Sequence, residues 1–183
     1  MLYAELHARS AFSFLEGASL PEDLIERAAE LELPAVALLD RDGVYGAPRF
    51  HVAARRAGVR AHIGAEITCT DGARYPLLAA TRTGYQNLCR LITRMKLRAR
   101  KGEGAVTPAE LAEFAGGLVC LSGDEKGPLA RALQRGGLEV GREAAAGLVE
   151  TFGRQNVYIE LQRHFRRSQE ARNQAALEIA RSL

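Results

Sequence analysis

Apolar positions along this chain keep two rhythms. Short continuous apolar runs predict buried strands, and stretches with apolar residues three and four apart predict amphipathic helices. Strands are expected over 2–7, 35–39, 59–68, 75–81, 118–121 and 156–161. Ala35 to Leu39 has no polar residue at all, as in a strand covered on both faces. Helices are expected from Pro21 to about Leu31, Phe50 to Ala57, Gly84 to Arg100, from Pro108, over about 127–134 and 138–152, and from Gln169 to Arg181. Ser19 with Glu22, and Thr107 with Glu110, have capping-box spacing, each with a proline at the first helical position. Gly58 is a helix stop and Asp71-Gly72 a turn. Strands alternating with helices predict an α/β domain over 1–183 with a parallel sheet and helical crossovers. The last element is a helix, whereas a barrel closes on a strand. The closing strand is therefore expected beyond Leu183, an open sheet being the alternative.

Composition narrows the class. The 183 residues are 47% hydrophobic and 26% charged, an ordinary globular mixture. The net charge of +3 permits nucleic-acid contact without requiring it. Cys69, Cys89 and Cys120 are odd in number and far apart, which argues against a disulfide framework or structural zinc and for a reducing cytoplasm. No apolar run approaches the roughly 20 residues of a membrane span, so no membrane partner is expected.

Candidate chemistry gathers at the predicted strand ends. His7, Asp40, Glu66, Asp124 and His164 all stand at or just past them, with Glu16 in the first loop. Ionisable groups at one rim of an α/β barrel are how a metal or phosphate site is built. Singly, each is more simply a cap or a surface ion pair. Arg9 and Arg41 stand beside these would-be ligands, and a guanidinium cannot coordinate a cation. Paired with Asp40 and Glu66, they would supply positive charge in place of a metal. His51 and His62 read as structural. The basic run Arg94 to Lys101 reads as a solvated helix end, with phosphate contact as the minority reading.

His7-Ala8-Arg9-Ser10, Phe12-Ser13, Glu16-Gly17, Leu39-Asp40-Arg41 and Gly64-Ala65-Glu66 together resemble the motifs of the PHP (polymerase and histidinol phosphatase) family. The segments 84–93, 117–123 and 158–164 resemble the N-terminal domain of bacterial C-family DNA polymerases, the III alpha-subunit type. Leu161-Gln162-Arg163-His164 and Ala171-Arg172-Asn173-Gln174-Ala175 resemble their error-prone branch. The resemblance implies a distorted (β/α)7 barrel, C-terminally incomplete here. It implies a parent DNA-directed DNA polymerase acting on DNA in replication and damage-tolerant repair, with magnesium in a polymerase domain outside this chain. His7, Glu16, Asp40, Glu66 and His164 are the metal candidates it offers. The sequence departs from the family pattern at Arg9, Arg41 and Asp124, which makes the site degenerate. The expectation is a non-catalytic scaffold without a cofactor. The alternatives are a phosphoesterase or 3′-5′ exonuclease with residual zinc or manganese, and a nucleic-acid-binding module relying on residues 94–101.

Overall fold

In the computed structural model, which describes residues 3–100 and 102–183, six strands form one sheet in the order β1-β2-β3-β4-β5-β6. These are β1 (Glu5–Ala8), β2 (Ala35–Arg41), β3 (Arg60–Thr68), β4 (Arg74–Ala79), β5 (Leu118–Leu121) and β6 (Val157–Tyr158). The helices are α1 (Pro21–Glu30), α2 (Ala47–Ala57), α3 (Arg82–Arg98), α4 (Pro108–Phe114), α5 (Pro128–Phe152) and α6 (Arg167–Ser182). Leu2, the expected start of the first strand, and Lys101, the end of the basic run, lie outside the described residues.

The sheet is mixed, not parallel throughout. β4 runs antiparallel to both β3 and β5, while β1–β2, β2–β3 and β5–β6 are parallel. The reason is connection length. Only residues 69–73 join β3 to β4, and a parallel crossover needs a dozen or more.

Strand alternation divides the core. Val36 and Leu38 of β2 pack with Ile25, Ala28, Phe50 and Ala54 of α1 and α2. Ala37 and Leu39, pointing the other way, meet Leu78 and Leu121 inside the curl of the sheet. Ala65 and Ile67 of β3 join the larger cluster under α3, α4 and α5. Gly64 is needed where β3 meets β4, because a Cβ there would run into the Leu77 carbonyl.

Two further boundaries differ from expectation. The α1 cap sits one residue later than Ser19: Asp23 accepts from the Leu20 N–H at 2.9 Å. The two helices expected over 127–152 are both present, α5 breaking where its backbone leaves the helical region at Gly136 and Gly137. β6 is two residues long instead of six, and the chain past Tyr158 runs on without strand pairing. Thr107 caps α4 with Glu110 in the expected box, and Gly58 ends α2 in the left-handed region at φ 72°. No described helix is long and apolar enough to cross a membrane.

Candidate functional site

β1, β2, β3 and β5 all deliver ionisable side chains to one rim. The β2–β3 register pairs Arg41 with Glu66 and Asp40 with Ala65. Residues opposite each other in neighbouring strands share a face, so Glu66 and Asp40 point to opposite sides. Glu66 enters the curl of the sheet, where it is fully buried. Asp40, 1% exposed, faces the helix layer, where it anchors the first loop. Its carboxylate accepts from the Ser10 N–H at 2.8 Å and from the Ser10 and Ser13 hydroxyls at 2.8 and 2.7 Å. A Cβ on Gly17 would strike the Ser10 carbonyl, so the same loop closes on a glycine.

Arg9 sits at the centre of the inner cluster. Its Nη2 donates to Glu66 Oε1 at 2.6 Å and to Asp124 Oδ2 at 2.8 Å. Arg74 Nη1 lies 3.3 Å from the other Glu66 oxygen and donates to Glu16 at 2.8 Å, and Lys126 reaches Glu16 at 3.0 Å. His7 Nδ1 meets Glu160 at 2.9 Å, and its Nε2 is 3.6 Å from Glu66. Arg41 pairs with neither Asp40 nor Glu66; it lies 3.9 Å from Glu16 and 3.5 Å from Asp42. His164 is exposed and bonded to Gln169, across a cleft that His7 and Arg9 also line. Among the predicted residues, then, His7, Arg9, Glu66 and Asp124 come together directly, Glu16 joins through Arg74, and Arg41 lies at the edge, 3.9 Å from Glu16, whereas Asp40 and His164 stand apart.

Electrostatics follow from this pairing. Burial works to lower the basicity of His7, but its bonds to Glu160 and Glu66 outweigh that and push its pKa up to about 9. Burial opposes the charge on Glu66, yet His7 and Arg9 hold its carboxyl below the ordinary range. Asp124 is likewise held down by Arg9, and Glu16 by Arg74 and Lys126, in each case against burial. Glu66 and Asp124 in turn raise the Arg9 pKa in spite of its burial.

Three members of the cluster, Arg74, Lys126 and Glu160, are not among the sequence-derived candidates. Arg74 opens β4, opposite Thr68; the Asp71-Gly72 turn, read as a hairpin, would have brought it to the end of β3. Glu160 lies four residues before His164, within the segment 158–164.

The fold and the rim together define a distorted α/β barrel domain, open between β1 and β6. The PHP domain profile matches residues 5–164, and the chain belongs to that family. It is 42% identical over 190 aligned positions to an Error-prone DNA polymerase of Mycolicibacterium paratuberculosis, covering 97% of this chain and 17% of that protein. An Error-prone DNA polymerase of an Anaeromyxobacter species is 51% identical over 107 positions, covering 56% of this chain and 9% of that protein. The chain thus spans less than a fifth of the length of these relatives. A solved structure of a candidate metal-dependent phosphoesterase from Bifidobacterium adolescentis has the same fold, with a TM-score of 0.65 and 16% identity, covering 98% of this chain and 83% of that one. Among the described residues, no group of three or more His, Cys, Asp or Glu is arranged to hold a metal ion.

Proposed function

We propose that this chain is the N-terminal PHP domain of an error-prone DNA polymerase and serves there as a non-catalytic scaffold. The parent would act on DNA in replication and damage-tolerant repair synthesis, in the cytoplasm, with its magnesium-dependent chemistry in a domain outside this chain. The unpaired edges of β1 and β6 would receive a closing strand from the rest of that polypeptide. The identity to error-prone polymerases over 97% of the chain supports the parentage.

One observation carries the scaffold reading: Arg9 Nη2 occupies the space between Glu66 and Asp124. Divalent zinc or manganese needs free lone pairs converging on one point. Here the carboxylates of Glu66, Asp124 and Glu16 are neutralised by guanidinium or ammonium groups, and His7 Nδ1 is turned to Glu160. A fixed cation at the centre repels a second one. The donor set does not fit a metal, and its own salt bridges hold the rim together. Asp40, offered by sequence as a ligand, has its oxygens taken by Ser10 and Ser13.

The test is direct. The purified chain is assayed for bound zinc and manganese by elemental analysis and for its melting temperature with and without chelator. It is then incubated with either metal and a phosphate ester or a 3′-ended oligonucleotide. No turnover and a chelator-independent melt are expected. Turnover that disappears in His7→Ala or Glu66→Ala would replace the scaffold with a phosphoesterase or exonuclease.

A further inference from the structure

A cleft lies on the helix side of the sheet, away from the salt-bridge cluster. Tyr75 of β4 stands opposite Ile67 and shares its face, the one under the helices, whereas Glu66, one residue along, points into the curl. Around Tyr75, the β3–β4 turn, the start of α4 and both halves of α5 enclose about 300 Å³. Leu111, Leu148 and Phe152 line this space with apolar surface, and Arg131 and Arg135 line it with charge.

That charge is unmatched. Arg131 and Arg135 stand one turn apart on the first half of α5, and neither has an ion-pair partner among the described residues. Asp71, the one acid among the described residues of the cleft wall, is already engaged. It accepts the Ala73 N–H at 2.8 Å through one oxygen and the Tyr75 hydroxyl at 2.7 Å through the other. Arg135, in the last turn before the break at Gly136, suits the helix dipole. Arg131 has no such reason to be there, and like charges four residues apart weaken a helix. Its guanidinium lies against the turn: a Cβ on Gly72, at φ 84°, would come within 2.7 Å of Nη2.

Space is kept open beside the arginines. Gly147 lies inside the second half of α5 and lines the cleft. No atom stands within 4 Å of the place its Cβ would take, so packing does not call for a glycine. Its conformation does not call for one either, since its φ is not positive. Glycine inside a helix is less favourable than any residue but proline. What the missing side chain does is leave the cleft wall free.

We propose that this cleft binds a carboxylate carried on an apolar body, with the acid group held by Arg131 and Arg135 and the apolar part against Leu111, Leu148 and Phe152. A planar guanidinium grips a carboxylate through two parallel bonds. One surplus positive charge beside apolar walls matches a singly charged acid; a dianionic phosphate would lose hydration to walls that offer it no further donor. An apolar cavity of about 150 Å³ holds one benzene ring, so this cleft has room for a ring with a short acid chain. A free arylalkyl acid and the C-terminal end of a polypeptide whose last residue is aromatic present the same chemistry.

The experiment titrates 3-phenylpropionate into the full chain at constant ionic strength, with the neutral 3-phenylpropionamide as the control. It follows the ring signals of Tyr75 and the Nε–H signals of Arg131 and Arg135. Saturable binding of the acid, and not of the amide, is expected, with those signals moving. Arg131→Gln and Arg135→Gln should each weaken binding about tenfold, the worth of one charge-assisted hydrogen bond. Gly147→Leu should abolish binding by filling the cleft, while melting no lower than the parent, since leucine favours a helix over glycine. Arg135 is exposed, so its variant keeps the fold and tests the proposal whether or not the leucine is accommodated. Arg55→Gln, on α2, should bind as the parent does. A parallel titration compares a peptide ending in phenylalanine with the same peptide amidated at its C-terminus. Binding of the peptide acid at least as tight as that of 3-phenylpropionate makes a chain end the source; weaker binding makes it a free acid. A response that never saturates, equal binding of the amide, or parent-like affinity in Arg131→Gln and Arg135→Gln or in Gly147→Leu overturns the proposal. Binding is read without turnover and away from the rim, so the scaffold proposal stands or falls separately.

Discussion

Arg9 is the residue whose removal most directly tests the cluster. Glu66 is fully buried, and its other cations are a more distant Arg74 nitrogen at 3.3 Å and His7 at 3.6 Å. Arg9→Met leaves that charge under-compensated and should cost about 3 kcal/mol of unfolding free energy. Because the cost arises from the stranded carboxylate, Arg9→Met combined with Glu66→Met should lose less than the single change. Urea denaturation of the three proteins measures both; a single variant as stable as the parent would show that the pair contributes nothing. His7 makes the companion prediction. Its pKa rises on folding from 6.5 to about 9, so its contribution is complete below about 6.5 and is lost as pH rises through 9. A shift of that size corresponds to about 3 kcal/mol. The depressed carboxyls of Glu66, Asp124 and Glu16 act in the opposite direction: their contribution is present above the ordinary carboxyl range and is lost in acid. Melting temperature should therefore fall on both sides of mildly acidic pH, and His7→Gln should flatten the alkaline side most, with a smaller effect in acid because His7 also holds the Glu66 carboxyl down. That these residues carry chemistry could be read from their places at strand ends. Which of them meet could not, because one residue of register separates the two faces of a strand, and that register sent Asp40 away from Glu66.

At the scale of elements, the basic run on α3 turns out to be a clamp. Arg94 grips Glu113 at 2.8 Å and stacks 4.6 Å above the Phe114 ring; Arg98 grips Glu110 at 2.7 Å and the Ala105 carbonyl at 2.7 Å. Two charges that sequence left open to phosphate are thus matched by α4, which weakens the nucleic-acid module reading. Glu110 has two tasks, since it also accepts the Thr107 N–H at 2.8 Å as the reciprocal half of the cap. The Arg98 bond, chiefly, holds its carboxyl down to about 2. Glu110→Ala should lower stability by about 1 kcal/mol through cap and clamp together, and Glu113→Gln, on an exposed pair, by less. Thermal melts at low and high salt would show it, with the Glu113 effect vanishing in salt. The helices were legible because caps and stops are local: Thr107 with Glu110, and Gly58, carry their signals within a turn. The direction of β4 is settled by the five-residue connection from β3, and counting that connection would have shown it. β6 was overestimated because Ile159 and Leu161 continue an apolar alternation without a further strand to pair with.

Taken whole, the molecule is a sheet curled until its two edges nearly meet. β1 and β6 face each other across a groove of about 740 Å³, walled by residues 3–9 and 158–164 and floored by Leu78, Val119 and Leu121. Unpaired edges are the least protected backbone of a sheet. At the rim, however, one ion pair spans them: His7 lies in β1, and Glu160, two residues past β6, meets its ring at 2.9 Å. Glu160 is itself placed by its own N–H, which donates to the Ser122 hydroxyl at 2.8 Å. A contact between the first and last strands restrains both, alongside the Arg9–Asp124 pair that ties the end of β1 to the chain just past β5. Glu160→Gln keeps the shape and removes the charge that His7 answers. The loss is local, on the order of 1–2 kcal/mol for a charged hydrogen bond, and it belongs to the seam. Amides over 5–8 and 157–160 should then exchange about tenfold faster, while those of β2 and β3, joined over seven register pairs, keep the parent's rates. Faster exchange everywhere would mean that Glu160 supports the fold as a whole; unchanged exchange at both edges would mean that the seam is held by something other than this pair.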